Sequence, residues 1–379
     1  MRSVWYNGIR EIMRKEELQV QKAYLILENG TIFEGKSFGA QGESVETTGE
    51  IVFTTAMTGY LETLTDPSYY GQIVVQTFPL IGNYGVIPSD FESRRPFVRA
   101  YIVRDWCQDP SNFRCEGDLD TFLKKNGIVG LYGIDTRALT KIVRESGVMN
   151  GKIVTEGTAL SFADLKSYTI KDAVKNTTCD KEEVFTPDGE VKRRVALFDF
   201  GAKRNICREL VKRGCEVTVL PAYTSCDRIK ELAPDGIMLS NGPGDPAENI
   251  EIIEELKKIC DLKIPTFGIC LGHQLLALSQ GAETEKLKYG HRGANQPATE
   301  TATGRVYITS QNHGYAVIND SLPEGAHAAF VNANDGTCEG VNYDYMPAFS
   351  VQFHPEACGG PLDTGFLFDR FTALIDSHK

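Results

Sequence analysis

The chain has 379 residues, and that length predicts two domains rather than one continuous core. With 41% hydrophobic and 24% charged residues, its composition is that of an ordinary soluble globular protein. The formal net charge of -11 argues against nucleic acid or an anionic membrane as a main partner, and no apolar run is long enough to span a bilayer.

The cysteines and the first residues bear on the cellular compartment. The 10 cysteines are scattered and form no C-x-x-C pair, which is typical of reduced thiols rather than of a disulfide framework. The start of the sequence contains no apolar signal segment, and its arginines are offset by nearby glutamates. We therefore expect a cytoplasmic protein.

The predicted domain organisation follows from a change in the sequence pattern. A charged, aperiodic section, Asp172–Arg194, carries the turn residues Pro187-Asp188-Gly189 in its middle. After it, apolar strands alternate with amphipathic helices. We divide the chain into an N-terminal extension (1–22), a first domain (23–172), a linker (173–193) and a second domain (194–379).

The first domain opens with a predicted hairpin. Tyr24–Leu27 and Thr31–Glu34 have strand character, and Asn29-Gly30 between them is a strong turn signal. The overlapping stretch Gly30–Ser37 fits the Walker A pattern of phosphate-binding loops. That loop requires a preceding strand and a helix at its lysine, whereas here the supposed loop is β-prone and no helix follows. We therefore interpret the stretch as a hairpin and not as a nucleotide site.

The rest of the first domain gives weaker signals. Glu50–Thr55 is a predicted strand, and Asp118–Lys125 and Asp135–Glu145 have helical spacing with an aspartate at each start. The segment Thr58–Val75 is rich in small polar and aromatic residues. This composition is typical of a ligand or interface loop, and also of a well-capped connector.

The second domain is predicted to be a doubly wound, parallel α/β sheet. Alternation of apolar strands and helices favours this fold, which binds ligands at the carboxyl ends of its strands. The predicted strands are Val195–Phe200, Glu216–Leu220, Ile237–Ser240, Thr266–Ile269, Arg305–Ser310 and Ala348–Gln352. The predicted helices are Asn205–Arg213, Ser225–Leu232, Glu248–Cys260, Leu271–Ser279 and Phe366–Ile375.

Cys270 lies between a predicted strand and a predicted helix. Gly268 and Gly272 flank it in the pattern G-x-C-x-G, the spacing of a nucleophile elbow with sulfur in place of oxygen. The helix N-terminus that follows favours a thiolate. Taken alone, the pattern fits a catalytic thiol and a small buried hydrophobic residue about equally.

Two further loops follow predicted strands and could complete an acyl-transfer site. His354 and Glu356 come after one strand, where the histidine would transfer protons and the glutamate would orient its ring. Gly242 and Gly244 come after another, and their backbone N–H groups, with that of Leu271, could stabilise an oxyanion. His313, placed by its pattern in a loop, is a rival for the base.

Three motifs in order, NGPGDP, FGICLGHQLLAL and FHPEA, resemble the class I (triad) glutamine amidotransferases. The first half, with TGYLETLTDPSYYGQI and GIDTRALT, and the later motif DFGAKRNI resemble the small subunit of carbamoyl phosphate synthetase. The resemblance extends from Tyr24 to the end of the chain. It implies a compact, mixed α/β first domain that docks a partner, followed by the amidotransferase domain.

The resemblance also implies an activity and a set of site residues. Such a subunit hydrolyses L-glutamine to glutamate and ammonia, and the ammonia passes internally to a large subunit that makes carbamoyl phosphate from bicarbonate and ATP. ATP and its metal ions would bind the large subunit, so this chain would need no cofactor and no metal. The implied catalytic residues are Cys270, His354 and Glu356. The implied glutamine ligands are Ser68, Gly242, Gly244, Leu271, Gln274, Asn312, Gly314 and Tyr315.

Two other interpretations stay open at this point. A stand-alone cysteine hydrolase or another class I amidotransferase would share the second domain, and a non-catalytic regulatory subunit would share the whole fold. The pathway served, whether pyrimidine biosynthesis, arginine biosynthesis or both, does not follow from the motifs.

Overall fold

The computed structural model describes residues 21–42, 45–158, 161–162 and 164–379. Nearly all of the predicted extension, residues 1–22, lies outside this part of the chain. The first strand already begins at Lys22, one residue before the predicted start of the first domain. No helix in the described part of the chain is long and apolar enough to cross a membrane.

The first domain is built on a closed barrel with the strand order β1-β2-β8-β6-β4-β3-β9. Its strands, with the short pair β5 and β7 beside it, are β1 (Lys22–Leu27), β2 (Ile32–Gly39), β3 (Glu46–Thr54), β4 (Gln72–Gln76), β5 (Leu80–Ile81), β6 (Ala100–Ile102), β7 (Asp105–Trp106), β8 (Val129–Tyr132) and β9 (Met149–Thr155). β1 and β2 pair antiparallel around Gly30, whose φ of 90° suits the turn, so the hairpin is confirmed and the Walker A interpretation is rejected.

Among the described residues, three helices accompany the barrel. They are α1 (Tyr60–Thr65), α2 (Leu119–Lys125) and α3 (Thr136–Ser146). The carboxylates of Asp118 and Asp135 accept hydrogen bonds from the first turns of α2 and α3, as the sequence predicted. The segment Thr58–Val75 is not one loop, because it contains α1 and a short 3₁₀ turn, Pro67–Tyr69.

The second domain has a ten-stranded sheet in the described part of the chain. Its strands are β10 (Glu183–Phe185), β11 (Arg193–Asp199), β12 (Cys215–Pro221), β13 (Gly236–Leu239), β14 (Thr266–Ile269), β15 (Thr284–Glu300), β16 (Val306–Val317), β17 (Ala326–Asn332), β18 (Cys338–Tyr343) and β19 (Ala348–Val351). Five of them, in the order β12-β11-β13-β14-β19, run parallel and confirm the predicted parallel core.

Helices cover both faces of this core. They are α4 (Ala173–Thr177), α5 (Arg204–Lys212), α6 (Cys226–Leu232), α7 (Ile250–Cys260), α8 (Leu271–Ser279) and α9 (Phe366–Asp376). Two buried clusters fill the space between the helices and the sheet, one around Phe198 and Leu275 and the other around Phe267 and Phe371. The covered sheet places the ends of β13, β14 and β19 side by side.

The predicted linker, residues 173–193, contains ordered elements that the sequence did not indicate. α4 lies there with Val174 buried, and β10 adds an antiparallel strand to the edge of the sheet beside β12. All three residues of β10 are exposed, and α4 has only five residues. Such short elements leave no recognisable side-chain periodicity in the sequence, because three to five residues cover little more than one turn or one alternation.

The antiparallel strands β15 to β18 were largely missed. β15 pairs with β16 through two register shifts, and Gly290 and Gly293 lie at positive φ within it. These irregularities interrupt the alternation of buried and exposed residues that predicts a strand. The placement of His313 in a loop is wrong for the same reason, since His313 lies inside β16 together with Asn312 and Tyr315.

Candidate active site

Cys270 occupies a strained turn between β14 and α8. Its φ of 53° and ψ of -104° lie outside the regions that L-residues favour. The flanking glycines are required by close approach: a Cβ on Gly272 would lie 2.3 Å from the Leu239 carbonyl oxygen, and one on Gly268 would lie 2.8 Å from the Gly272 carbonyl oxygen. This is the geometry of a nucleophile elbow.

His354 and Glu356 follow β19, the strand next to β14. Nδ1 of His354 lies 2.7 Å from Oε1 of Glu356, and both side chains are almost completely buried. The other ring nitrogen, Nε2, has no hydrogen-bond partner in the described part of the chain. Burial lowers the pKa of His354, but attraction to Glu356 and Cys270 outweighs it and raises the pKa overall. The protonated ring is therefore stabilised between a carboxylate and a thiol.

Lys203, which the residue-by-residue reasoning did not single out, approaches the same carboxylate. Its Nζ lies 3.4 Å from Oε1 of Glu356 and 3.5 Å from Oδ2 of Asp66, a residue of the first domain. Burial raises the pKa of Glu356, but the positive charges of His354 and Lys203 lower it by more, so the carboxylate stays ionised. Lys203 belongs to the motif DFGAKRNI, so the sequence marked this segment but did not indicate what the lysine does.

Two backbone N–H groups are available beside Cys270. Those of Gly242 and Leu271 donate no hydrogen bond within the described part of the chain. Leu271 begins α8, where the first N–H groups have no acceptor inside the helix. A Cβ on Gly242 would lie 2.3 Å from the Phe200 carbonyl oxygen, so only glycine fits the loop at that point. These donors can stabilise negative charge on an oxygen above the thiol.

A cavity of about 350 Å³ opens at Cys270 between the two domains. Seven of the eight predicted glutamine ligands line it, and Leu271 is the one that does not. The seven are Ser68, Gly242, Gly244, Gln274, Asn312, Gly314 and Tyr315. The volume suits a small metabolite rather than a polymer.

The predicted ligands are held by hydrogen bonds that cross the domain boundary. The amide of Asn241 donates to Ser68 Oγ at 3.0 Å, and the amide of Asn312 donates to Asp66 Oδ2 at 3.2 Å. Nε2 of Gln274 donates to the Tyr315 carbonyl at 2.7 Å, which ties α8 to β16. The cavity therefore depends on the docked position of the barrel.

The hydroxyl of Tyr315 has a charged neighbour. Burial raises the pKa of Tyr315, and the nearby carboxylate of Asp245 raises it further. The hydroxyl therefore stays protonated and can donate to that carboxylate at the rim of the cavity. The sequence alone did not identify a hydrogen-bond partner for this hydroxyl.

Comparison with known proteins agrees with the geometry. The family described as the carbamoyl-phosphate synthase small chain, CPSase domain, matches residues 25–153, and glutamine amidotransferase class-I matches residues 196–374. The carbamoyl phosphate synthase small chain of Clostridium perfringens is 53% identical over 92% of this chain and 98% of that protein. This chain belongs to the carbamoyl phosphate synthase small chain family. The small chain of Lactococcus lactis subsp. cremoris is 48% identical over 95% of this chain and 100% of that protein.

Membership of the small chain family confirms the resemblance drawn from the motifs. It also confirms the expected architecture of a mixed α/β domain followed by a class I amidotransferase domain. The roles of individual residues stay predictions that the geometry now sharpens.

Two other buried histidines of this small chain, His273 and His313, have structural partners. Nδ1 of His273 lies 2.8 Å from Ser350 Oγ, and burial lowers the pKa of His273 to about 3. His313 contacts Gln311 and the Tyr315 carbonyl within its own strand. Neither ring has a carboxylate partner of the kind that Glu356 provides to His354, so the geometry favours His354 as the base.

One cluster has the residue types of a metal site. Ligand atoms of His291, His313 and Glu339 lie within 4.8 Å of one another. The side-chain amide of Asn332, however, donates to Glu339 Oε1 at 2.8 Å and lies 3.4 Å from His291 Nδ1. It therefore occupies the lone pairs with which these atoms would bind a metal. We interpret the cluster as a hydrogen-bonded core that joins β15, β17 and β18. The absence of a metal on this chain stays a prediction.

Proposed function

We propose that this chain is the glutamine-hydrolysing component of a carbamoyl phosphate synthase and that Cys270, His354 and Glu356 carry out the hydrolysis. The observation that carries the proposal is the juxtaposition of a strained cysteine elbow and a buried His–Glu pair at the ends of neighbouring strands β14 and β19. A buried, buttressed histidine beside a thiol supports nucleophilic catalysis more than a passive structural role.

The proposed reaction has two halves. Cys270 Sγ attacks the carboxamide carbon of glutamine, and the N–H groups of Gly242 and Leu271 stabilise the oxyanion. His354 gives its proton to the leaving nitrogen, so ammonia departs and a γ-glutamyl thioester forms. His354 then removes a proton from water, and the water oxygen attacks the thioester carbon. The C–S bond breaks, which regenerates the Cys270 thiol and releases glutamate. Glu356 orients the ring and stabilises its charge throughout.

A second cavity supports an internal exit for ammonia. It has a volume of about 80 Å³ and is lined by His354, which does not line the substrate cavity, while Asn312 lines both. Its wall is formed by both domains, among others by Glu92, Lys203 and Cys358. We propose that ammonia leaves through this space toward a large subunit, which would bind ATP and its metal ions and complete carbamoyl phosphate for pyrimidine or arginine biosynthesis in the cytoplasm.

The deciding experiment separates the two ammonia sources. The chain is co-purified with its large subunit, and carbamoyl phosphate synthesis is measured with glutamine and with added ammonia. Cys270→Ala should abolish synthesis from glutamine and leave synthesis from ammonia unchanged. Cys226→Ala, which alters a buried thiol in α6 far from the cavity, is the matched control and should retain both activities. Loss of ammonia-dependent synthesis in an intact Cys270→Ala complex would overturn the proposed division of labour.

A further inference from the structure

Arg292 is a buried cation that lines the substrate cavity without an anionic partner. Its side chain is 5% exposed, yet it forms no ion pair in the described part of the chain. One guanidinium nitrogen, Nη1, donates to the Tyr289 carbonyl at 2.6 Å, and Nε is buried with no acceptor. A buried charge is costly unless it is paired, so an unpaired guanidinium beside a cavity indicates a missing anion.

Two glycines, Gly290 and Gly314, leave the space that the Arg292 guanidinium occupies. β15 pairs Arg292 with Asn312, and the adjacent Gly314 leaves the space that the guanidinium fills. A Cβ on Gly314 would lie 3.2 Å from Nη2 of Arg292, and a Cβ on Gly290 would lie 2.5 Å from Nη1. The guanidinium therefore packs directly on the backbone of Gly314, one of the predicted substrate contacts.

The other cation that lines the cavity already has a carboxylate partner. Lys286 Nζ lies 2.8 Å from Glu50 Oε1, and the Gln72 amide donates to the other oxygen of that carboxylate at 2.8 Å. Burial lowers the pKa of Arg292, and attraction to Glu50, which lies beyond ion-pair distance, offsets only part of this effect; an arginine side chain nevertheless stays protonated in proteins. Of the two cations that line the cavity in the described part of the chain, Arg292 is the one without a carboxylate in contact.

We propose that Arg292 binds the α-carboxylate of the amino-acid substrate and so selects substrates that carry this group. The inference rests on the proposed function, in which the carboxamide end of the substrate lies at Cys270. A guanidinium donates charge-assisted hydrogen bonds to carboxylates, and Nη2 of Arg292 has no acceptor in the described part of the chain. Specificity follows because a substrate without the carboxylate leaves the buried cation unpaired.

The test compares L-glutamine with L-glutaminamide, in which a neutral amide replaces the α-carboxylate. Hydrolysis is measured in the complex with the large subunit for the wild type, Arg292→Gln, Arg292→Lys and the control Arg305→Gln, which alters an exposed arginine. Arg292→Gln should raise KM for glutamine tenfold or more with kcat within about threefold, because the contact acts in binding. Its preference for glutamine over glutaminamide should shrink at least tenfold. Arg305→Gln should behave as the wild type.

The conservative variant Arg292→Lys is the control for misfolding. Arg292→Lys keeps the charge but loses the forked donor geometry, so KM should rise by a smaller factor and the preference for the carboxylate should persist. Equal losses on both substrates in Arg292→Gln, or an unchanged KM in that variant, would overturn the inference. These outcomes leave Cys270-dependent hydrolysis in the wild type intact, whereas hydrolysis that survives Cys270→Ala would instead refute the proposed function.

Discussion

The carboxylate of Glu92, in the barrel domain, accepts two hydrogen bonds from Asn205 in the catalytic domain, one from the backbone N–H at 3.1 Å and one from the side chain at 2.8 Å. The Glu92 carbonyl also accepts from the N–H of Arg204 at 2.8 Å. α5 begins at Arg204, and Lys203 before it supplies no side-chain cap. A barrel residue therefore caps a catalytic-domain helix whose preceding lysine contacts Glu356.

Glu92 makes stability depend on pH. Burial raises its pKa to about 7 in the folded chain, from an ordinary value of 4.5. Between these values the folded state holds a proton that the unfolded state releases, so the free energy of unfolding falls as the pH rises from about 5 to 7. Glu92→Gln should remove this part of the slope, at most about 3 kcal/mol. Denaturant unfolding at both pH values measures it.

The control for this prediction is Glu116→Gln, which alters an exposed carboxylate of the same domain. It should leave the pH slope of the wild type unchanged. A slope in Glu92→Gln as steep as that of the wild type would show that other groups in the interdomain cluster carry the effect.

His354 should prove to be the essential base. His354→Asn should lower glutamine turnover by roughly a thousandfold or more, since loss of a triad member removes proton transfer from both half-reactions. Glu356→Gln should cost less, because His354, the group that transfers the protons, is retained. His313→Asn should chiefly perturb β16. Steady-state hydrolysis assays test this prediction. A larger loss of turnover in His313→Asn than in His354→Asn would identify His313 as the base instead.

The second cavity should control the transfer of ammonia rather than its release from glutamine. Ala294 lines this cavity, and Ala294→Phe would fill a space of about 80 Å³. Glutamine hydrolysis should persist, while carbamoyl phosphate formed per glutamine consumed should fall severalfold and free ammonia should accumulate. Ala302→Phe, at an exposed turn, is the matched control. Unchanged coupling in Ala294→Phe would exclude this route.

The isolated chain should hydrolyse glutamine slowly. The cavity is assembled from both domains, with Asp66 and Ser68 contributed by the barrel, so a small shift of the barrel disturbs the catalytic side. Binding of the large subunit should raise turnover, and added ATP and bicarbonate should raise it further. Glutaminase assays of the chain alone, with the partner, and with partner and substrates test this. Equal turnover in all three states would contradict the coupling.

Local signals in the sequence were sufficient for several elements. Asn29-Gly30 predicted the first hairpin, capping aspartates predicted α2 and α3, and G-x-C-x-G predicted the elbow, because each depends on residues within one or two turns of each other. The parallel core was equally legible, since strands buried on both faces are continuous apolar runs. Glu356 could be paired with His354 because only one residue separates them.

The tertiary structure alone decided what lies across the domain boundary. Lys203 meets Asp66 and Glu356, and Glu92 caps α5, through contacts between residues far apart in the chain that leave no periodic trace. β15 and the second half of β16 escaped prediction because bulges break the alternation of buried and exposed residues, and the position of Arg292 beside Gly314 could not be predicted either. Charge neutralisation in a buried site depends on distance in space, and spacing along the chain carries no measure of it.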